Sequence, residues 1–300
     1  MSAQSRSMTV GVIGAGRVGA TLGAALAAAG HHVVAASGVS AAAKHRIATL
    51  LPQARNLPAD QVAREAHDLL IIAVPDDALA SVVAGLAGVG ALRPGQVVAH
   101  TSGAHGLDVL EPARAVGARP LALHPAMTFT GTPADLTRLA DGVSFGVTAP
   151  PDLAIIAHDL VDDLGGQLEW IDELDRPLYH AALAHGANHL VTLVNEAADR
   201  LRDAGVTHPE KMLAPLLRAA LENALAGGDS ALTGPVSRGD AGTIAKHVTA
   251  LGAVAPDSVP AYLALARRTA DRAIAVGRLR PTDAESLLDV LAGKPETVHS

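Results

Sequence analysis

The chain has 300 residues with 23 Lys and Arg against 30 Asp and Glu, a formal charge of −7, 49% hydrophobic residues, only one Trp, two Tyr and two Phe, and no cysteine. That length suits two domains, because single cores stop growing at about 250–300 residues. The missing cysteine excludes disulfides, thiolate nucleophiles and thiolate zinc sites, and few aromatics on an acidic chain argue against nucleic acid as a partner. The longest apolar stretch in a strand-like setting, Leu69 to Val74, is far below the ~20 residues that span a bilayer. MSAQSRSMTV lacks the apolar core of a secretory signal. No membrane contact and a cytoplasmic location are therefore expected.

The first half alternates short apolar runs with small-residue helical stretches. This is the pattern of an α/β domain, a Rossmann-type doubly wound parallel sheet with crossover helices. Thr9–Ile13 reads as the first strand, Val18–Ala29 as a helix ended by Gly30, and His32–Ala36 as the second strand. Further strands are expected at Leu69–Val74, Gln96–His100, Pro120–His124, Val143–Val147 and Gln167–Ile171, with a helix over Asp152–Leu164 before the last. Beyond Trp170 the strand pattern stops. Leu174–Ala204 reads as one long helix closed by Gly205, and Thr207 with Glu210, like Thr282 with Glu285, has the spacing of a capping box. Residues 8–171 are thus expected to form the sheet domain, and residues 172–295 an all-α domain of five or six helices.

Gly14-Ala15-Gly16-Arg17-Val18-Gly19 falls between the first strand and its helix. In such a setting the first glycine allows the tight turn, the second admits a pyrophosphate to the backbone, and the third lets helix and strand pack closely. An NAD site places an acidic residue about 20 positions later, for the ribose hydroxyls. None is present here: no Asp or Glu occurs before Asp60, and the first 59 residues sum to +5 against −12 for the rest. Ser37, Ser40, Arg17, Lys44 and Arg46 would instead welcome a 2′-phosphate, so NADP, as NADPH, is the expected cofactor. The same bases could also be no more than a solvated face. At the other strand ends, Val74-Pro75-Asp76-Asp77, His100-Thr101-Ser102-Gly103 and Leu123-His124-Pro125 lie where doubly wound sheets bind ligand. Val74, Pro75, Thr101 and Ser102 are expected to line the cofactor, while Asp76 or Asp77 could simply cap a helix.

On the long helix, Ala181, Ala184, Asn188, Thr192 and Asn195 form a narrow stripe of small and polar residues. It could present amides to a substrate, or serve hydrogen bonding between helices. His180 lies upstream. His185 and His189 have i, i+4 spacing, but Gly186 stands where a zinc helix of the H-E-x-x-H kind needs glutamate, so no metal is expected. In the loop from Leu232 to Asp240, Asp240 reads as the cap of a helix over Ala241–Leu251. Arg238 could bind a carboxylate or pair with Asp240.

The stretches GVIGAGRVG, the serines after the second strand, HTSGAHG, LHPAMTF, YHAALAHGANHLVTL and LTGPVSRGD together resemble a family assigned as NADP-dependent oxidoreductases. Its members pair a Rossmann-like domain with a C-terminal domain of unknown function similar to the 6-phosphogluconate dehydrogenase C-terminal domain. The resemblance runs from about Thr9 to Ala292. It implies kinship of architecture with ketopantoate reductase, beta-hydroxyacid dehydrogenases, imine reductases, pyrroline-5-carboxylate reductase and deazaflavin-dependent NADP oxidoreductase, and it makes ketopantoate the first substrate to test. It also implies a homodimer through the helical domain. One departure stands out: beta-hydroxyacid dehydrogenases carry a lysine four residues before the asparagine that matches Asn188, and that position is Ala184 here.

The leading expectation is an NADPH-dependent reductase of a small-molecule substrate, a 2-oxo acid or related carbonyl compound. Asn188 would orient the carbonyl, His180 or His124 would supply the proton because imidazole titrates near neutrality, Arg238 would hold the carboxylate and Ser102 would add a hydrogen bond. Imine reduction in the manner of pyrroline-5-carboxylate reductase and a non-catalytic NADP(H)-binding sensor or scaffold are the alternatives.

Overall fold

Leu69-Leu70-Ile71-Ile72 shows how the sheet is built. In the computed structural model, which describes residues 7–293, Leu69 and Ile71 enter one apolar layer and Leu70 and Ile72 the other. All four are buried, because the strand is covered on both faces and side chains alternate across it. Arg6 and residues 294–295 of the expected second domain lie outside the described residues.

The order of elements begins β1 (Thr9–Ile13), α1 (Arg17–Ala28), β2 (His32–Ser37), α2 (Ala41–Leu50), β3 (Arg55–Asn56), α3 (Ala59–Glu65), β4 (Leu69–Ile72), α4 (Asp76–Gly88) and β5 (Val97–His100). It continues with α5 (Glu111–Ala115), β6 (Arg119–Pro125), α6 (Ala134–Ala140), β7 (Ser144–Thr148), α7 (Ala154–Asp163) and β8 (Gln167–Trp170). These strands form one sheet in the order β3-β2-β1-β4-β5-β6-β7-β8. The order reverses between β1 and β4, which is where doubly wound sheets open a ligand crevice at their carboxyl ends.

Two features depart from the expected sheet. β3 is a two-residue strand of exposed residues with no apolar pattern to betray it. β7 pairs antiparallel with β6, with His124 opposite Gly146 and Pro125 opposite Phe145, and β8 follows β7 in parallel. The reversal has a local cause. The Asp135 carboxylate accepts from Thr130 N, Thr130 Oγ1 and Gly131 N at 2.6–2.8 Å, and Ala126 N donates to Ser144 O. The chain leaving β6 is therefore held at the same sheet edge, and β7 starts there.

After β8 a short 3-10 turn over Glu173–Asp175 leads into α8 (Arg176–Asp203), which ends before Gly205 at φ +84°. Then come α9 (Pro209–Gly227), α10 (Gly234–Ser237), α11 (Ala241–Val254), α12 (Val259–Ala275) and α13 (Pro281–Leu291). Two compact units divide the chain between Gly186 and Ala187, inside α8. The second unit has its own apolar cluster, with Ile244, Ala270, Ala273, Ala284 and Leu287 fully buried. Asp240 caps α11 as expected, its Oδ1 accepting from Thr243 N at 3.0 Å. The two expected capping boxes do not form. α9 and α13 start at Pro209 and Pro281, so His208 and Arg280 occupy the cap positions and neither caps through its side chain. Proline fits the first helical position because its ring presets φ and it has no N–H to satisfy, and this outweighs the threonine signal. Among the described residues no helix is long and apolar enough to cross a membrane.

Candidate functional site

The glycine loop sits at the switch point. Gly14, at φ +83°, lies so close to the end of β4 that a Cβ there would stand 2.5 Å from Ala73 O. A Cβ on Gly19 would stand 2.4 Å from Gly14 O. Both glycines are thus demanded by the protein's own packing. Gly16 is not: a Cβ there would meet nothing nearer than Gly14 O at 3.9 Å. The open space lies at the amino end of α1, which has no acidic residue in its first turn. Backbone N–H groups and the helix dipole there favour an anion. Ser37 closes the loop from β2, its carbonyl accepting from Gly14 N and Ala15 N at 3.2 and 2.8 Å. Val18 continues the first turn of α1, and Val74 and Pro75 follow β4, with Val74 against Gly14. Asp76 and Asp77 lie in the first turn of α4, where Pro75 holds the cap position.

A basic cluster lies beyond α1. Gly131, at φ +78°, leaves room for two guanidinium side chains, since a Cβ there would meet Arg17 Cγ at 2.7 Å and Arg46 Nε at 2.7 Å. Ser40 caps α2, with Oγ accepting from Ala43 N at 3.1 Å, and Lys44 is exposed on the same helix. Asp135, the nearby carboxylate, is fully buried and committed to the Thr130–Gly131 turn. Burial would raise its pKa, but the bonds from Thr130 and Gly131 hold it below the ordinary carboxylate value.

A second cluster gathers at the carboxyl ends of β5 and β6. A Cβ on Gly103 would meet His180 Cδ2 at 2.7 Å and His124 Nε2 at 3.0 Å, so this glycine lets the two imidazoles close on the turn after β5. The two rings stand edge to face at 6.1 Å. His124 Nδ1 is 2.8 Å from Tyr179 Oη. Thr101 and Ser102 follow β5, and Ser102 is turned inward, its Oγ accepting from Ala104 N and His105 N at 3.2 Å. His100 is buried, with Nε2 against Gly106 O at 2.8 Å and Nδ1 accepting from Ser102 N at 3.2 Å. Glu173 clamps the same turn through Leu107 N and Asp108 N.

Arg176, the first residue of α8, is also fully buried. Its Nε donates to Thr148 Oγ1 at 2.8 Å and one terminal nitrogen to Gly146 O at 3.0 Å. The other terminal nitrogen is the one buried side-chain polar atom without a partner among the described residues. The electrostatics follow. Burial, aided by His180 and Arg176, lowers the His124 pKa to about 4, and burial lowers that of His100 to about 4 against the Gly106 hydrogen bond. The expectation that His124 gives a proton as an imidazolium near neutrality is thereby corrected: buried beside a guanidinium, it is neutral at pH 7.

Asn188 lies exposed on α8 in the second unit, and Arg238 lies exposed after α10. Arg238 makes no ion pair with Asp240 within 4 Å among the described residues. Sequence reasoning missed Tyr179, Arg176, Gly103 and Glu173. Tyr179 had one available signal, as one of only two tyrosines and the neighbour of His180. Arg176 had none, since a lone arginine at a helix start reads as surface.

An eight-stranded, mostly parallel sheet with a glycine loop at its switch point, followed by a helical unit, defines a Rossmann-like α/β protein with an appended all-α domain. Residues 2–125 match the Rossmann-like domain model and residues 143–269 the model of a domain of unknown function, DUF2520. The chain carries both domains in that order, which bears out the resemblance read from its motifs. No curated protein matches the sequence. Among solved structures it is similar to a Bacteroides fragilis protein assigned as an NADP oxidoreductase, at 21% identity and a TM-score of 0.75 over 88% of this chain and 98% of that one. It is similar to a reductive aminase from Aspergillus terreus in complex with NADPH and ethyl-5-oxohexanoate, at 18% identity and a TM-score of 0.61 over 96% and 95%. It is also similar to Plasmodium falciparum pyrroline carboxylate reductase with NADP bound, at 13% identity and a TM-score of 0.57 over 89% and 98%.

Proposed function

We propose that the protein is an NADPH-dependent reductase of a small carbonyl compound, a 2-oxo acid such as ketopantoate being the leading substrate. The observation that carries the reading is the convergence of Arg17 and Arg46 on Gly131, beside a second strand that ends in Ser37 instead of a carboxylate. Two guanidinium groups without a carboxylate partner among the described residues suit the 2′-phosphate that distinguishes NADP from NAD, and the space at Gly16 suits the pyrophosphate. Bound there, NADPH would supply a hydride to an electrophilic carbon. The chain's own tasks are to bind both molecules and to manage the proton. His124 and His180 flank Gly103, near the turn that Ser102 holds, and from the helical unit Asn188 and Arg238 are the proposed ligands of the carbonyl and the carboxylate. The pyrroline carboxylate reductase and the reductive aminase that this fold is similar to hold NADP and NADPH respectively, which supports the cofactor.

A second reading, reduction of a C=N bond, is favoured by one observation: several solved structures similar in fold are pyrroline carboxylate reductases, imine reductases or reductive aminases. Rates of NADPH oxidation with ketopantoate and with pyrroline-5-carboxylate separate the two. NADPH should also raise the melting temperature more than NADH does. An equal response to both dinucleotides overturns the cofactor reading. Tight NADPH binding without oxidation of either substrate points instead to a sensor or scaffold.

The proposal extends to a homodimer through residues 172–295. Met212, Leu216 and Leu225 of α9 are more than half exposed, and an apolar groove of about 480 Å³ lined by Leu193, Ala197, Val236, Leu251 and Leu265 opens in the second unit. Such surface asks for a cover, and a second copy would supply it. A cytoplasmic location is part of the same proposal, since a chain without cysteine has no need of an oxidising compartment.

A further inference from the structure

The antiparallel turn of β7 sets Gly146 opposite His124. Tyr179, in the first turn of α8, lies on that glycine so closely that a Cβ there would stand 2.5 Å from its Oη. Only glycine lets the phenol reach His124 Nδ1 at 2.8 Å. Proton positions follow from counting donors and acceptors. The Gly146 backbone helps to hold the phenol's pKa down against burial, and among the described residues the one hydrogen-bond partner of the phenol is His124 Nδ1 at 2.8 Å. With the phenol donating to Nδ1, the proton of a neutral imidazole sits on Nε2. Nε2 makes no hydrogen bond to the described residues, and it is not among their buried unsatisfied atoms, so it opens to solvent.

We infer that Tyr179 and His124 form a proton relay, in which His124 Nε2–H gives its proton to the substrate oxygen while the Tyr179 hydroxyl replaces it at Nδ1. The inference rests on the reductase reading and deepens it. As the carbonyl carbon gains hydride, the oxygen becomes an alkoxide and forms an O–H bond with the Nε2 proton. The Nε2–H bond breaks, the phenol O–H bond breaks, and the phenol proton bonds to Nδ1. One negative charge is left on the Tyr179 oxygen; after the alcohol leaves, a solvent proton adds at Nε2 and the Nδ1 proton returns to the phenolate, which restores the resting tautomer. Arg176 is placed for that moment: its guanidinium carbon lies 5.8 Å from the Tyr179 ring centre. It is buried without a carboxylate partner within 4 Å among the described residues, and one of its terminal nitrogens is unbonded. A buried cation is costly unless something compensates it, and a transient phenolate would.

The groups facing the pair act together. His180 and Arg176 on α8 and His100 on β5 disfavour an imidazolium at His124, Asp76 on α4 opposes them, and Glu173 counters part of the Arg176 charge. Burial raises the Tyr179 pKa, with Arg176 and Gly146 pulling the other way. Both members therefore keep their protons through the neutral range. The protein contains its own control, because His247 Nδ1 and Tyr262 Oη are also 2.8 Å apart. There His247 is exposed, and no charge acts on Tyr262, only burial. The relay suits a carbonyl better than an iminium, because only the carbonyl develops an oxyanion that must be protonated.

The experiment uses the full chain labelled with 15N-histidine, in wild type, Tyr179→Phe and Tyr262→Phe. His124 should be the neutral Nε2–H tautomer from about pH 5.5 to 9. Tyr179→Phe should shift it towards the other tautomer, and Tyr262→Phe should move only His247. A His124 that is protonated on Nδ1 or charged at pH 6.5 overturns the relay, whether or not any substrate is turned over. Kinetics with NADPH and ketopantoate supply the second arm. Wild-type kcat should be flat over the same range. Tyr179→Phe should lower kcat about 100-fold with KM little changed, and the residual rate should fall as pH rises, because the proton must then come from solvent. A flat profile in Tyr179→Phe would show that the phenol only positions His124. No turnover with ketopantoate or pyrroline-5-carboxylate counts against the reductase reading, and the nitrogen spectra still decide the relay's proton positions.

Discussion

His100 and His124 tie stability to pH. Each has its pKa lowered from 6.5 to about 4, chiefly by burial. The unfolded chain therefore binds protons between pH 6.5 and 4 that the folded chain refuses, and stability falls as pH drops through that window and levels off below it. For the fully buried His100 the loss is on the order of 3 kcal/mol. Urea midpoints measured from pH 7.5 to 4 should show this decline, and a midpoint that is flat down to pH 4 would contradict the neutral assignment. Arg17 and Arg46 make a second prediction at this scale. Replacing either with Ala should weaken NADPH binding about tenfold to a hundredfold, the worth of a charge-assisted hydrogen bond of about 1.5–3 kcal/mol, while NADH binding barely changes. Equal losses for both dinucleotides would remove these side chains from the phosphate site.

At the scale of single elements, the β1–α1 turn separates two roles that the sequence motif merges. Gly14 is held by the fold, at φ +83° and in contact with Ala73 O, whereas Gly16 faces open space. Gly14→Ala should destabilise the protein by at least ~2 kcal/mol, lowering Tm by roughly 5–8 °C. Gly16→Ala should leave Tm within about 2 °C and weaken NADPH binding at least about tenfold, because the added methyl fills the space meant for pyrophosphate. Calorimetry and fluorescence titration of both variants check this, and a Gly16→Ala variant that binds NADPH normally would contradict the assignment. Helix starts teach a related lesson. Thr207 and Thr282 have the capping-box spacing, but Pro209 and Pro281 start their helices one or two residues away from where those threonines would cap. Proline's fixed φ is a stronger local instruction than a hydroxyl in reach. Asp240, with no proline beside it, caps α11 as its sequence indicates.

For the whole molecule, the helical unit is the part that looks incomplete alone. α9 buries Pro209 and Leu213 and leaves Leu216, Leu221 and Leu225 about half exposed or more. The proposed second copy predicts a dimer in sedimentation at micromolar concentration. Leu216→Glu with Leu225→Glu should yield a monomer of lower stability, since burying two carboxylates in an apolar interface costs more than the interface returns. A wild-type monomer under the same conditions would remove the dimer from the proposal.

The sequence by itself determined seven of the sheet's eight strands, the glycine loop and the long helix, because alternation, strand-to-helix glycine spacing and helical periodicity are local properties that neighbours in the chain enforce. It also indicated the basic, acid-free stretch around Arg17 and Arg46 by composition alone. Only the tertiary structure decided the rest. Gly131 admits both guanidinium groups because a loop some 85 residues beyond Arg46 is tied down by the buried Asp135. β7 runs backwards, and Tyr179 meets His124 across Gly146 for that reason. Arg176 is buried where its type predicts exposure. Each of these depends on which distant segments share one sheet edge, and burial and proton affinity are set there by the neighbours in space.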